Sequence, residues 1–146
     1  MQRLCYRILL VEDDADDRYI MHQAFEELGF AEEVKMFSSG EELNKYLGQL
    51  GDSGFPELIV LDYNMPALNG AELALSLKKH PILKAIPVVL YSTGMNPKMK
   101  DELLKAGVLH CFEKGMEYND VLKLVMAFKE LIKETKVLSA TPFQTT

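Results

Sequence analysis

Four short apolar runs in this chain are each closed by a polar residue, and stretches of helical period separate them. Ile8-Leu9-Leu10-Val11 runs into Glu12 and Asp13, and Leu58-Ile59-Val60-Leu61 runs into Asp62. Val88-Val89-Leu90-Tyr91 runs into Ser92, and Cys111-Phe112-Glu113 runs into Lys114. Strands that are apolar throughout suit a parallel sheet covered on both faces. The residues that close such strands converge at one edge, where open α/β sheets bind ligands. Three carboxylates, a hydroxyl and an ammonium in one crevice point to phosphoryl chemistry with a divalent cation.

The hydrophobic period predicts five strand-helix units. Arg7 to Val11 reads as a buried strand. Asp14 to Leu28 reads as a helix, with Ile20, Ala24 and Leu28 on one face and Gly29 as its stop. Val34 to Phe37 is a short strand, and Ser39 with Glu42 has the capping-box spacing for a second helix. That helix turns Leu43, Tyr46, Leu47 and Leu50 inward. Leu58 to Leu61 is a strand, Tyr63 to Gly70 a loop, and Ala71 to Lys79 a helix that ends before Pro81. After the strand Ile86 to Tyr91, Asn96 caps a helix with Pro97 at its first position and Gly107 beyond its end. Val108 to Phe112 is the last strand, and a final helix runs from Tyr118 to about Lys133. Its core stripe is Val121, Leu124, Val125, Phe128, Leu131 and Ile132, which Leu122, Met126 and Ala127 broaden. Residues 135–146 lack periodicity and read as a flexible C-terminal tail, which leaves residues 1–134 as one domain. Right-handed crossovers then give a doubly wound sheet. The flavodoxin-like order 2-1-3-4-5, with helices on both faces, makes Glu12-Asp13 and Asp62 neighbours at the switch point.

Charge and composition exclude several classes. A net charge of -6 with no basic stretch argues against nucleic acid as a partner. No apolar run is long enough to cross a membrane. Cys5 and Cys111 form no metal or redox motif and read as free thiols, so a cytoplasmic location is expected. His22, His80 and His110 lack metal-ligand spacing and read as structural or surface residues. Asp16 and Asp17 read as solvated first-turn residues, favoured there by the helix macrodipole. The three glycines between Gly48 and Pro56 precede a strand, so they form a connector and not a dinucleotide fingerprint.

Four segments carry a family likeness: ILLVEDD at Ile8 to Asp14, LIVLDYNMPALNG at Leu58 to Gly70, PVVLYST at Pro87 to Thr93, and Lys114 after the fifth strand. In this order, each at a strand end, they resemble the response-regulator receiver domain of two-component signalling. The resemblance implies that Asp62 accepts a phosphoryl group from a histidine kinase or a histidine phosphotransfer protein. It implies that Asp13 and Asp62 bind Mg²⁺ (or Mn²⁺) directly, that Glu12 acts through water, and that Asn64 offers its backbone carbonyl. Ser92 and Lys114 would hold phosphoryl oxygens. With no effector sequence visible, the resemblance implies a stand-alone regulator, a signalling phosphoacceptor and not an enzyme, present as a monomer or weak dimer. It would reach a downstream protein through the face of helix 4, strand 5 and helix 5.

The residues support these roles on physical grounds. Two carboxylates about 4 Å apart repel by about 4 kcal/mol at an effective dielectric of 20. Three need a counter-charge or must partly protonate. Mg²⁺ suits a few carboxylates plus waters and phosphate oxygens, and phosphoryl transfer is mostly positioning and electrostatics.

Three positions depart from the family pattern. Gly115 follows Lys114 where proline is usual, so the loop there is expected to be looser or differently shaped. Cys111 stands where many members carry an aromatic switch, with Phe112 facing the other way. Gly94, two residues after Ser92, leaves the entrance open to a bulky phosphodonor. The altered positions 111 and 115 raise the alternative of a phosphorylation-independent binding module, and the intact set Glu12, Asp13, Asp62, Ser92 and Lys114 argues against it. A third class, a small phosphatase or nucleotide enzyme, lacks its parts: Asn64 stands where a general acid is needed, and no glycine-rich loop follows strand 1.

Overall fold

The computed structural model describes residues 6–50, 54–65 and 69–144, and side chains as far as Ile132. Five parallel strands lie in the order β2-β1-β3-β4-β5: β1 Ile8–Val11, β2 Val34–Phe37, β3 Leu58–Asp62, β4 Val88–Ser92 and β5 His110–Glu113. The helices between and after them are α1 Ala15–Glu27, α2 Gly40–Gln49, α3 Gly70–Lys79, α4 Pro97–Lys105 and α5 Tyr118–Gln144. This is the expected doubly wound sheet.

Strand alternation builds two cores. Leu9, Val11, Ile59, Leu61, Val88, Leu90 and Cys111 face one side, with Leu43 of α2, Leu73 of α3 and Leu103 of α4. Ile8, Leu10, Leu58, Val60, Val89 and Tyr91 face the other, with Phe25 of α1 and Phe128 of α5. Each fully buried Val, Leu, Ile or Phe stabilises by about 1.5–3 kcal/mol relative to exposure. Phe112 packs against the α1–α5 core while Cys111 enters the opposite one, as their alternation predicts.

Side-chain caps set where the helices start, and so where the strand ends are left bare. Asp14 Oδ1 accepts from the Asp17 amide at 3.0 Å, Ser39 Oγ from Glu42, and Asn69 Oδ1 from Glu72 at 2.8 Å. Glu42 reaches back one residue further than a capping box requires, to the Ser38 amide and hydroxyl. Gly29 and Gly107, with φ of 69° and 111°, stop α1 and α4 in the left-handed region that favours glycine.

One expectation is borne out in part and another needs correction. Ala24 is buried and Ile20 and Leu28 pack half-buried against the same core, but Met21 and Phe25 are buried too, so the inward face of α1 is wider than the stripe read from Ile20. The last helix continues past Lys133 to Gln144, so the backbone over the expected tail is helical that far. Residues 133–141 hold no glycine or proline, so the first helix breaker after Ile132 is Pro142. Cys5 and part of the Gly48 to Pro56 connector lie outside the described residues.

Candidate functional site

β1 and β3 pair in register from Ile8–Leu58 to Val11–Leu61, so the next residues, Glu12 and Asp62, meet at the switch point. Asp13 follows in the turn into α1. One carboxylate oxygen from each of Glu12, Asp13 and Asp62 lies within 4.8 Å of the others. Glu12 and Asp62 are 1% and 7% exposed, whereas Asp13 faces solvent.

Each carboxylate has its own support. Glu12 Oε2 accepts from the Asp14 amide at 3.0 Å, and Glu12 Oε1 from the Tyr91 hydroxyl at 2.7 Å. Asp62 Oδ1 accepts from the Asn64 amide at 2.9 Å. Burial raises the proton affinity of all three; the charge of Asp62 adds to this at Glu12, and that of Glu12 at Asp13. For Asp62 the Asn64 amide and the charge of Lys114 pull the other way without overcoming burial. Burial and the Glu12 charge push the Tyr91 phenol up, so its proton remains available as a donor.

The opposite wall comes from β4 and β5. Ser92, 1% exposed, is the last residue of β4. Its hydroxyl lies 2.7 Å from the Gly94 carbonyl and 3.1 Å from Asn64 Oδ1, and accepts from the Gly94 amide at 2.9 Å. One hydroxyl proton serves one of these two acceptors at a time. The Lys114 amide donates to Ser92 O at 2.8 Å, which ties the end of β5 to that of β4. Lys114 Nζ lies 3.0 Å from Asp17 Oδ2, 3.5 Å from Glu12 Oε1 and 5.4 Å from the centre of the Tyr91 ring. Burial depresses the Lys114 pKa, but Asp17, Glu12 and Asp62 together outweigh it and hold the ammonium above its usual range.

Two glycines shape the rim. A Cβ on Gly70 would stand 2.3 Å from the Asp62 carbonyl oxygen, so this close approach of α3 to β3 requires glycine. A Cβ on Gly115 would stand 2.4 Å from Asp120 Oδ2 and 2.5 Å from Asp120 Cβ. The Asp120 carboxylate accepts from the Glu117 amide at 3.1 Å and so caps the start of α5. The loop after Lys114 is thus filled by Asp120 where a proline ring would otherwise sit. Gly94 is open, with nothing within 4 Å of a Cβ there.

The sequence-predicted residues Glu12, Asp13, Asp62, Asn64, Ser92 and Lys114 therefore come together at one edge. Two contributors went unread. Asp17 was expected to be solvated, yet it is the nearest ion-pair partner of Lys114. It stands three residues before Ile20 and four before Met21, on the inward face of α1, so the stripe read from Ile20 already carried its signal. Tyr91 read only as the end of an apolar run; its signal is that it pairs with Asp62 across β3 and β4.

The donor set fits a divalent cation. Its oxygens are hard, its carboxylates are few, and Asp13 leaves one side open to water. Lys114 brings one positive charge against Glu12, Asp13, Asp17 and Asp62, so the side chains gathered here leave room for a further positive charge.

A family model described as the response regulator receiver domain matches residues 8–126. The chain is 32% identical over 139 residues to response regulator Rcp1 of Synechocystis sp., covering 91% of this chain and 92% of that protein. It is 30% identical over 128 residues to the probable methanogenesis regulatory protein FilR2 of Methanothrix harundinacea, covering 84% and 81%. Among solved structures, the phosphorylated cyanobacterial phytochrome response regulator RcpA superposes with a TM-score of 0.76 at 30% identity, covering 90% and 96% of the two chains. The Mn²⁺-bound form of Rcp1 gives 0.70 at 30% identity, covering 84% and 90%. Fold, strand-end chemistry and these likenesses agree: the chain belongs to the response regulator receiver domain family of two-component signalling.

Proposed function

We propose that this protein is a response regulator that accepts a phosphoryl group on Asp62 and signals by altered protein–protein binding. The observation that carries the reading is a nearly buried Asp62 carboxylate within 4.8 Å of oxygens from Glu12 and Asp13. The relatives add support, since one similar structure is described as phosphorylated and another as Mn²⁺-bound.

Asp13 and Asp62 would hold Mg²⁺ or Mn²⁺ directly, Glu12 through water, and Asn64 through its backbone carbonyl. The bound cation supplies positive charge that offsets the carboxylates and the phosphoryl oxygens. An oxygen of Asp62 attacks phosphorus in the phosphohistidine of a kinase or phosphotransfer protein. The P–N bond breaks, an acyl phosphate forms, and the histidine nitrogen keeps the electron pair and takes up a proton. Lys114 and the Ser92 hydroxyl each bind one phosphoryl oxygen, Ser92 by turning its proton away from the Gly94 carbonyl. The open position at Gly94 admits a bulky donor.

Exposed Leu104, Leu109 and Met126 support the α4–β5–α5 face as the docking surface for the downstream protein, on a monomer or weak dimer. A cytoplasmic location goes with this reading, because a kinase there can draw on ATP. Among the described residues no helix is long and apolar enough to cross a membrane.

Incubation with Mg²⁺ and acetyl phosphate or phosphoramidate, followed by intact mass measurement, tests the chemistry. One base-labile phosphoryl adduct is expected, lost in Asp62→Asn. Cys111, buried where an aromatic switch is usual, favours the phosphorylation-independent reading, and no adduct from either donor together with no response to a phosphoryl mimic would turn the assignment to that reading.

A further inference from the structure

Lys114 is not free to receive a phosphoryl group. Its ammonium is shared between Asp17 Oδ2 at 3.0 Å and Glu12 Oε1 at 3.5 Å. The two partners differ in what they lose on release. Glu12 is 1% exposed, so a lost cation there is not replaced by water. It also keeps the Tyr91 hydroxyl and the Asp14 amide, which hold it in place whatever Lys114 does. The Asp17 side chain is 39% exposed and water can solvate it at once. Its backbone amide stays bound to the Asp14 cap, so releasing its carboxylate does not unwind the start of α1. The pocket of about 360 Å³ beside the pair, lined by Asp17, Ile20, Lys114 and Met116 among others, leaves room for both side chains to move apart.

We propose that Asp17 is a positioning residue that holds Lys114 in the resting state and competes with the phosphoryl group for it. This rests on Asp62 being the phosphoacceptor. The charge on Asp17 lowers the affinity of the site for a phosphoryl oxygen by keeping one ammonium occupied. It thereby sets how strong a phosphodonor or mimic must be to capture Lys114. Arrival of the group on Asp62 transfers Lys114 from the α1 carboxylate to the phosphoryl oxygen. That transfer leaves the Asp17 carboxylate to water at the rim of the site.

Beryllofluoride, a phosphoryl mimic, tests this by titration in excess Mg²⁺, with Mg²⁺ alone as a second titration. Asp17→Asn keeps the side-chain shape and removes the charge. Asp16→Asn makes the same change of net charge one residue away, at an exposed position. Loss of a half-exposed ion pair predicts that Asp17→Asn binds beryllofluoride about two- to fivefold tighter than Asp16→Asn. Affinity for Mg²⁺ alone should be equal in the two variants. Asp17→Glu, which restores the charge, should return to the wild-type value. Equal or weaker binding by Asp17→Asn than by Asp16→Asn overturns the proposal, as does a gain that Asp17→Glu shares. If the wild type binds no beryllofluoride, or binds it undiminished after Asp62→Asn, the phosphoacceptor reading falls and this inference with it. Wild-type binding that requires Asp62, without the gain in Asp17→Asn, sinks the inference alone.

Discussion

The Tyr91 hydroxyl donates a 2.7 Å hydrogen bond to Glu12 Oε1, and the two residues are 0% and 1% exposed. A buried carboxylate is supported here by an aromatic residue from the next-but-one strand. Tyr91→Phe removes the donor and leaves one lone pair of a charged group unsatisfied out of reach of water. Such a loss costs about 1–3 kcal/mol, and each kcal/mol lowers the Tm of a chain of this length by about 2–4 °C. Thermal melts of the metal-free protein should show that drop. An unchanged Tm would mean that water replaces the hydroxyl.

Gly70 and Gly94 make a matched pair. A Cβ at 70 meets the carbonyl of Asp62, and one at 94 meets nothing. Gly70→Ala must push α3 away from β3, and overpacking of this kind costs about 1–3 kcal/mol. Because the displaced backbone is that of Asp62, adduct formation should slow as well. Gly94→Ala should melt within about 0.5 kcal/mol of wild type. Melting curves and adduct kinetics on both variants check the contrast.

The packing of Asp120 onto Gly115 explains why this chain departs from the Lys-Pro pattern of its family. Any side chain at 115, proline included, brings a Cβ into the Asp120 carboxylate. Gly115→Ala should therefore destabilise by about 1–3 kcal/mol. In an Asp120→Gly background the same change should cost less, since the obstructing atoms are gone. A double-mutant cycle by denaturant unfolding measures the difference, and additive effects would count against the steric account.

Most of the fold was legible because the pattern is redundant. The three central strands β1, β3 and β4 are buried along their length, and helix caps such as Ser39 and Asn96 stand where the period changes. The six expected site residues were legible because strand ends in a parallel sheet share one edge. Asp17 and Tyr91 were not, for two separate reasons. Asp17 stands three and four residues before Ile20 and Met21, so helical spacing puts it on the inward face, but the macrodipole alone accounts for an acidic first-turn residue and hides a second role. Tyr91 is apolar along most of its length, so only its register opposite Asp62 shows where the hydroxyl reaches. Asp120 could not be read at all, since its contact with Gly115 depends on how the loop after Lys114 closes.

The acid cluster makes stability depend on pH in a direction that can be worked out. Burial raises the folded-state pKa of Asp62 and Glu12 above their unfolded values, so the folded protein binds protons more tightly there. The stabilisation from protonating them is fully present below the unfolded values of about 4 and is lost as pH rises through the raised folded values. At neutral pH without metal, the charged cluster therefore weakens the fold. Asp62→Asn keeps an acceptor for the Asn64 amide and removes one charge. It should melt above wild type at pH 7, with the gap closing as the pH falls towards about 4. Added Mg²⁺ should raise the Tm of wild type more than that of Asp62→Asn, and more at pH 7 than at pH 5, because protons compete for the same oxygens. Melting curves over that range, with and without Mg²⁺, check the sign. A wild type that melts above Asp62→Asn at pH 7 without metal would show that Lys114 and the Asn64 amide outweigh burial at this carboxylate.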